Sequence, residues 1–95
     1  LLVGPADPDK FGVAKALPQK RLPCPGILIA SQTDPWMTAE HAAQWARRWN
    51  CKYIDGGALG HINAESRLGD WVYGQAQLQT LFDLAQSDKR HRQAA

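Results

Sequence analysis

The sequence predicts an α/β fold on a doubly wound, mainly parallel sheet, and reads as the second half of one, with about three strands and two main helices. Three observations carry this. Ile27-Leu28-Ile29-Ala30 is an unbroken apolar run after a Pro-Gly signal, which suits a strand buried on both faces of a parallel sheet. Ala42, Trp45, Ala46 and Trp49 then recur at helical spacing, and Lys52-Tyr53-Ile54-Asp55 gives a short strand after them. Strand, helix and strand make one βαβ unit, which places its two strands parallel and plausibly adjacent.

Taken in order, Leu1 to Val3 reads as the end of a buried strand, stopped by Gly4-Pro5. From Phe11 to Cys24 the pattern is irregular, and Pro18, Pro23 and Pro25 exclude a long helix or a central strand through most of it. A surface connection with one helical turn is expected there. Ser31 to Pro35 is the exit loop of the apolar strand. Thr38 is a suitable N-cap and Glu40 suits the positive helix end, so the Ala/Trp helix runs through Trp49 and closes at Asn50-Cys51. The glycine-rich turn Gly56-Gly57-Ala58-Leu59-Gly60 follows the next strand. A last helix from about Trp71 to Gln86 aligns Leu78, Leu81, Phe82 and Ala85 on a stripe that needs a sheet to cover. Ser87-Asp88-Lys89-Arg90-His91-Arg92 has no apolar residue to pack. Residues 87–95 are therefore expected to be a disordered basic tail, and residues 1–86 the C-terminal part of a single domain.

The 95 residues are 44% hydrophobic and 21% charged, which excludes disordered and collagen-like classes. A chain this short buries a limited fraction of its surface, so an α/β layout is expected to be marginal by itself. The absence of an initiator Met and the apolar opening suggest a fragment entered in mid-strand. No run approaches about 18 apolar residues, and no basic segment precedes an apolar one, so neither a membrane span nor a signal peptide is indicated. The net charge of +2 comes largely from the tail, and no basic face interleaved with aromatics points to nucleic acid. Cys24 and Cys51 are too far apart for a C-x-x-C motif and read as reduced thiols of a cytoplasmic protein, although both fall near the N-terminal ends of the neighbouring strands. His41, His61 and His91 have no metal-ligand spacing.

Functional groups of an open parallel sheet gather on loops at the C-terminal ends of its strands. Asp34 and His61 both lie there, and neighbouring parallel strands sit only about 4.8 Å apart, so the two side chains can meet. A carboxylate that fixes the tautomer of a neutral imidazole lets the ring take a proton from a hydroxyl nucleophile. The plainer alternative is that Asp34 caps a turn before Pro35 while His61 is an ordinary loop residue, and local sequence by itself favours it. Asp55 also ends a strand and is a rival acid, but it would have to fold back along the loop it shares with His61.

From Ile27 to Trp71 the chain resembles the YdeN and retinoblastoma-binding protein 9 family of small serine hydrolases, within the α/β-hydrolase fold. The resemblance rests on Ile27-Leu28-Ile29-Ala30-Ser31 running into Thr33-Asp34-Pro35-Trp36, then Gly60-His61-Ile62-Asn63-Ala64-Glu65-Ser66, then Leu68-Gly69-Asp70-Trp71, in that order. It implies a partial α/β-hydrolase in which Asp34 is the triad acid and His61 the catalytic histidine, acting on a small ester or related acyl substrate with no cofactor. Val72 stands where relatives often carry proline, and Cys24-Pro25-Gly26 replaces a more apolar approach to the strand. The family's nucleophile is a serine on a G-x-S-x-G elbow. Neither Ser31, Ser66 nor Ser87 has glycines two positions away on both sides, so nucleophile and oxyanion hole are both missing and the chain alone should not turn over an ester.

Trp36 either walls an acyl pocket or packs under its loop, the latter being the expected single role. Asn63 and Glu65 are expected to brace the histidine loop by local hydrogen bonds. A non-catalytic interaction protein that retains the hydrolase scaffold is the alternative to an enzyme. Oligomeric state is open at this level.

Overall fold

The four apolar residues Ile27–Ala30 form the central strand β2, and all four are buried. In a computed structural model, which describes residues 1–94 and side-chain burial through Arg90, this strand lies between β1 (Leu2–Val3) and β3 (Lys52–Asp55). All pairing is parallel, with Leu2 opposite Leu28, Ile27 opposite Lys52, and Ala30 opposite Asp55. A strand covered on two faces and paired on two edges has no wet position for a polar side chain, which is why β2 shows no alternation.

From Asp9 onward the residues between β1 and β2 run mostly over the surface, with one 3₁₀ turn at Ala14–Ala16, while Asp7 and Pro8 are buried. Helix α1 spans Ala39–Trp49. Thr38 caps it by accepting the His41 N–H on its hydroxyl, and Asn50 ends it in the left-handed region, where its N–H bonds the Ala46 and Arg47 carbonyls. The expected stripe is the buried one: Ala42, Trp45, Ala46 and Trp49 pack with Leu28, Ala30 and Met37. Trp45 and Trp49 lie 4.7 Å apart between ring centroids, and the Trp49 indole N–H donates to the Pro18 carbonyl at 2.8 Å. That bond pins the 4–26 connection to the helix.

Helix α2 spans Val72–Ala94 and departs from expectation twice. First, it runs on through most of the segment expected to be a disordered tail. Ser87–Gln93 contains neither Gly nor Pro, so lack of packing partners removes burial but not helix propensity; Ala95 lies outside the described residues. Second, its apolar stripe is only partly covered, with Leu81 half-buried but Leu78 and Phe82 exposed by 54% and 57%. Trp71, just before the helix, shares a surface cavity with Val3 and Ile62, whereas Leu84 and Asp88 share one with Gly26 and Lys52. The helix therefore runs from the C-terminal edge of the sheet to its N-terminal edge. Among the described residues no helix is long and apolar enough to cross a membrane.

Candidate active site

The acid loop begins where β2 ends. Ser31, almost wholly buried, turns its hydroxyl back to accept the Thr33 N–H at 3.3 Å and the Leu59 N–H at 2.9 Å. Thr33 Oγ1 accepts the Gly60 N–H at 2.9 Å, and the Gln32 N–H donates to the Gly57 carbonyl at 2.8 Å. The loops leaving β2 and β3 are thus stitched together by side chains that occur within three residues of the strand end. Short hydroxyl side chains do this well because they reach a backbone N–H with little rotamer entropy to lose.

The histidine loop is held from below and from ahead. Gly4, at φ 54°, lies so close beneath it that a Cβ there would stand 2.7 Å from the His61 carbonyl oxygen. Gly60 has φ 63°, and Ile62, on the other side of His61, has φ 53°. A β-branched residue in the left-handed region costs roughly 1–3 kcal/mol and persists only where its surroundings over-determine it. They do so here: Ser66 donates its hydroxyl to the Leu59 carbonyl at 2.6 Å and accepts the Asn63 N–H at 3.2 Å, while Asn63 Oδ1 accepts the Glu65 N–H at 3.1 Å. Asn63 braces the loop as expected, whereas Glu65 enters this network through its backbone.

These two loops bring Asp34 and His61 together. Nδ1 of His61 lies 3.1 Å from Asp34 Oδ1 and 3.0 Å from Oδ2, and Oδ1 also accepts the Trp36 N–H at 2.9 Å. The carboxylate is 1% exposed and the imidazole 32%. An ionised carboxylate accepts rather than donates, so against it a neutral imidazole carries its proton on Nδ1 and leaves a lone pair on Nε2. Among the described residues Nε2 has no hydrogen-bond partner. The ring also borders a surface cavity of about 420 Å³ lined by Pro35, Trp36, Leu59, Asn63 and Glu65.

Asp55, the rival acid, is occupied elsewhere. Its Oδ2 accepts the Gln32 amide at 2.7 Å and its Oδ1 the Gly57 N–H at 2.8 Å; these two bonds lower its pKa below the ordinary carboxylate value. Trp36 is 43% exposed rather than packed under its loop. Its ring lies between Phe11, at 5.9 Å, and the Lys10 ammonium, at 5.3 Å, and it lines the cavity beside His61.

A second Asp-His pair lies behind the acid loop. Asp7 Oδ2 is 2.6 Å from His41 Nδ1, and Asp7 Oδ1 accepts the Asp9 N–H at 3.0 Å. Burial alone would raise the Asp7 carboxyl, but hydrogen bonds from His41 and Asp9 outweigh it and lower the pKa; the bond to Asp7 in turn raises that of His41. Asp7, Asp9 and His41 bring three metal-ligating atoms within 4.8 Å, yet both Asp7 oxygens are already engaged by these donors. Sequence reasoning passed over this pair, as it did the bracing roles of Ser31, Thr33 and Ser66. The only signal for those was a run of short hydroxyl residues flanking Asp34 and His61.

At the opposite edge of the sheet Cys24 is exposed and Cys51 half-buried, both as free thiols. Burial pushes the Cys51 thiol above its ordinary range, away from the thiolate that a nucleophile needs.

Three comparisons with known proteins bear on this geometry. The family model described as "Serine hydrolase" matches residues 1–80. No curated protein matches. Among solved structures, the chain is similar to a crystal structure described as a YdeN-like hydrolase from Pectobacterium atrosepticum, at 36% identity and a TM-score of 0.83. The match covers 88% of this chain and 45% of that one, so the chain spans less than half the length of the structure it resembles.

Proposed function

The chain belongs to the serine hydrolase family, and from that premise we propose that it supplies the acid and base of a Ser-Asp-His triad that cleaves an ester or related acyl bond. The observation that carries this is the buried Asp34 carboxylate set against His61 Nδ1 at 3.0 and 3.1 Å, with Nε2 turned away from it. In this role Nε2 takes the proton of a serine hydroxyl as the oxygen attacks the acyl carbon. Asp34 stabilises the imidazolium that forms and stays ionised itself. Nε2 then returns the proton to the leaving group, and a water deprotonated at the same nitrogen releases the acyl chain. No cofactor is required by these steps.

The nucleophile belongs to a segment outside these 95 residues, because the sequence contains no G-x-S-x-G elbow. The first oxyanion donor goes with it, being the backbone N–H after the nucleophile. Trp36 forms one wall of the cavity that takes a small acyl or ester substrate; its exposure and its place beside His61 support the wall role. Two free thiols fit a reducing, cytoplasmic setting.

The experiment is to express the chain together with the coding sequence upstream of Leu1 and treat it with a fluorophosphonate. Labelling at a serine on an elbow in that segment, abolished by His61→Ala, is expected. Labelling that survives His61→Ala removes His61 from the mechanism. An upstream sequence without an elbow favours the second reading, a non-catalytic interaction protein on a hydrolase scaffold.

A further inference from the structure

The acid loop is gripped from behind by residues that no step of the triad uses. The Asp7 N–H donates to the Trp36 carbonyl at 2.8 Å, while the N–H of the same Trp36 donates to Asp34 Oδ1 at 2.9 Å. Trp36 therefore hangs between the two aspartates, with its carbonyl held by one and its N–H holding the other. Lys10 adds a hydrogen bond to the Pro35 carbonyl at 3.1 Å, and the rings of Phe11 and Trp36 meet. The backbone bond to the Trp36 carbonyl depends on where Asp7 sits. Asp7 is one of two buried polar or charged residues among those described, and its carboxylate is held at 2.6 Å by His41, whose own N–H is bonded to the α1 cap Thr38.

We propose that Asp7 and His41 are positioning residues: their ion pair anchors the loop after β1 to the start of α1, keeps the Asp7 N–H on the Trp36 carbonyl, and through the Trp36 backbone steadies the N–H that holds the Asp34 carboxylate against His61. The physical reason is the cost of a buried charge without a partner. With His41 removed, the Asp7 carboxylate, whose side chain is 8% exposed, loses its main donor and is drawn outward towards water. That movement takes its backbone N–H off the Trp36 carbonyl and loosens the Trp36 backbone, whose N–H orients Asp34. Glu40 and Asp9 are the other charged groups acting on His41; both are acidic and favour its protonated form without replacing it.

The inference rests on Asp34 orienting His61, and its test separates the two. The readout is the tautomer of His61, measured on the full 95-residue chain by long-range nitrogen-proton NMR at a pH where the ring is neutral. A ring bound to Asp34 carries its proton on Nδ1, while a ring released to water shifts towards the Nε2–H form. In His41→Ala the Nδ1–H population is expected to fall about twofold or more with the amide shifts of β2 and α1 retained, and His41→Asn, whose amide can donate from the position of Nδ1, is expected to restore it. Asp7→Asn provides a second variant that keeps the side-chain volume and removes the charge, with a smaller fall expected. An unchanged tautomer in folded His41→Ala overturns the positioning role. An unchanged tautomer in Asp34→Asn overturns instead the reading that Asp34 orients His61.

Discussion

The described residues contain two Asp-His pairs, and they differ in where in the fold the imidazole lies. In both, a buried carboxylate engages Nδ1, at 2.6 Å for Asp7 and His41 and at 3.0 Å for Asp34 and His61. The shorter pair joins a loop to the first turn of a helix and lies outside the cavity beside His61. The longer pair joins the exit loops of two adjacent strands, and its ring borders that cavity. On the roles proposed above, identical side chains act as an anchor in one place and as an acid-base device in the other. Tightness of the pair does not distinguish them; position at the C-terminal edge of neighbouring parallel strands does.

The comparison breaks most visibly at Asp34. Asp34→Asn keeps the shape of the loop but lets His61 adopt the wrong tautomer, so in the protein supplied with its nucleophile kcat should fall about 10⁴-fold. Asp7→Asn should lower it far less, and steady-state kinetics of the two variants side by side check the ranking. Equal losses would mean that the pairs are not divided into device and anchor.

Gly4 sharpens the comparison from the other side, because it lies against His61. Gly4→Ala adds roughly 1–2 kcal/mol for a left-handed alanine and drives a methyl into the His61 carbonyl. A lower denaturation midpoint with a disproportionate loss of fluorophosphonate labelling is expected. A variant that loses stability but labels at the wild-type rate would show that the His61 backbone can move without consequence.

The smallest effect concerns pH, and its sign follows from the two shifts. The His41 pKa is raised above 6.5 on folding, so its contribution to stability is complete below that value and is lost as pH rises through the raised one. The Asp7 pKa is lowered below 3.8, so its contribution is present above that value and disappears as pH falls through the depressed one. The pair is at full strength between the two ordinary values. The stability difference between the native chain and His41→Ala, measured by urea unfolding, should therefore be larger at about pH 5.5 than at about pH 9. The opposite order would remove the charge on His41 from the anchor.

Much of the fold was legible because its signals are local. The apolar run Ile27–Ala30, the cap at Thr38 and the stripe ending in Trp49 each depend on residues within one or two turns of chain. Helix α2 was less legible on both counts. Its continuation past Gln86 depends on propensity that a polar composition does not abolish, and its coverage depends on a sheet face whose extent no helical stripe reveals. Asp34 and His61 were nominated by strand ends and by family motifs, whereas the bracing hydroxyls of Ser31, Thr33 and Ser66 went unnoticed because a short polar residue in a loop looks the same whatever it binds.

By itself, then, the sequence determined that a parallel βαβ unit exists, which strand is central, which helix face is buried, and that an acid and a histidine end neighbouring strands. Periodicity and capping are properties of consecutive residues and need no distant partner. The tertiary structure alone decided which aspartate meets which histidine. Asp34, Asp55 and Asp7 are all carboxylates near strand ends, and only the parallel register and the close approach of Gly4 to His61 place one of them on the His61 ring while Gln32 and His41 occupy the others.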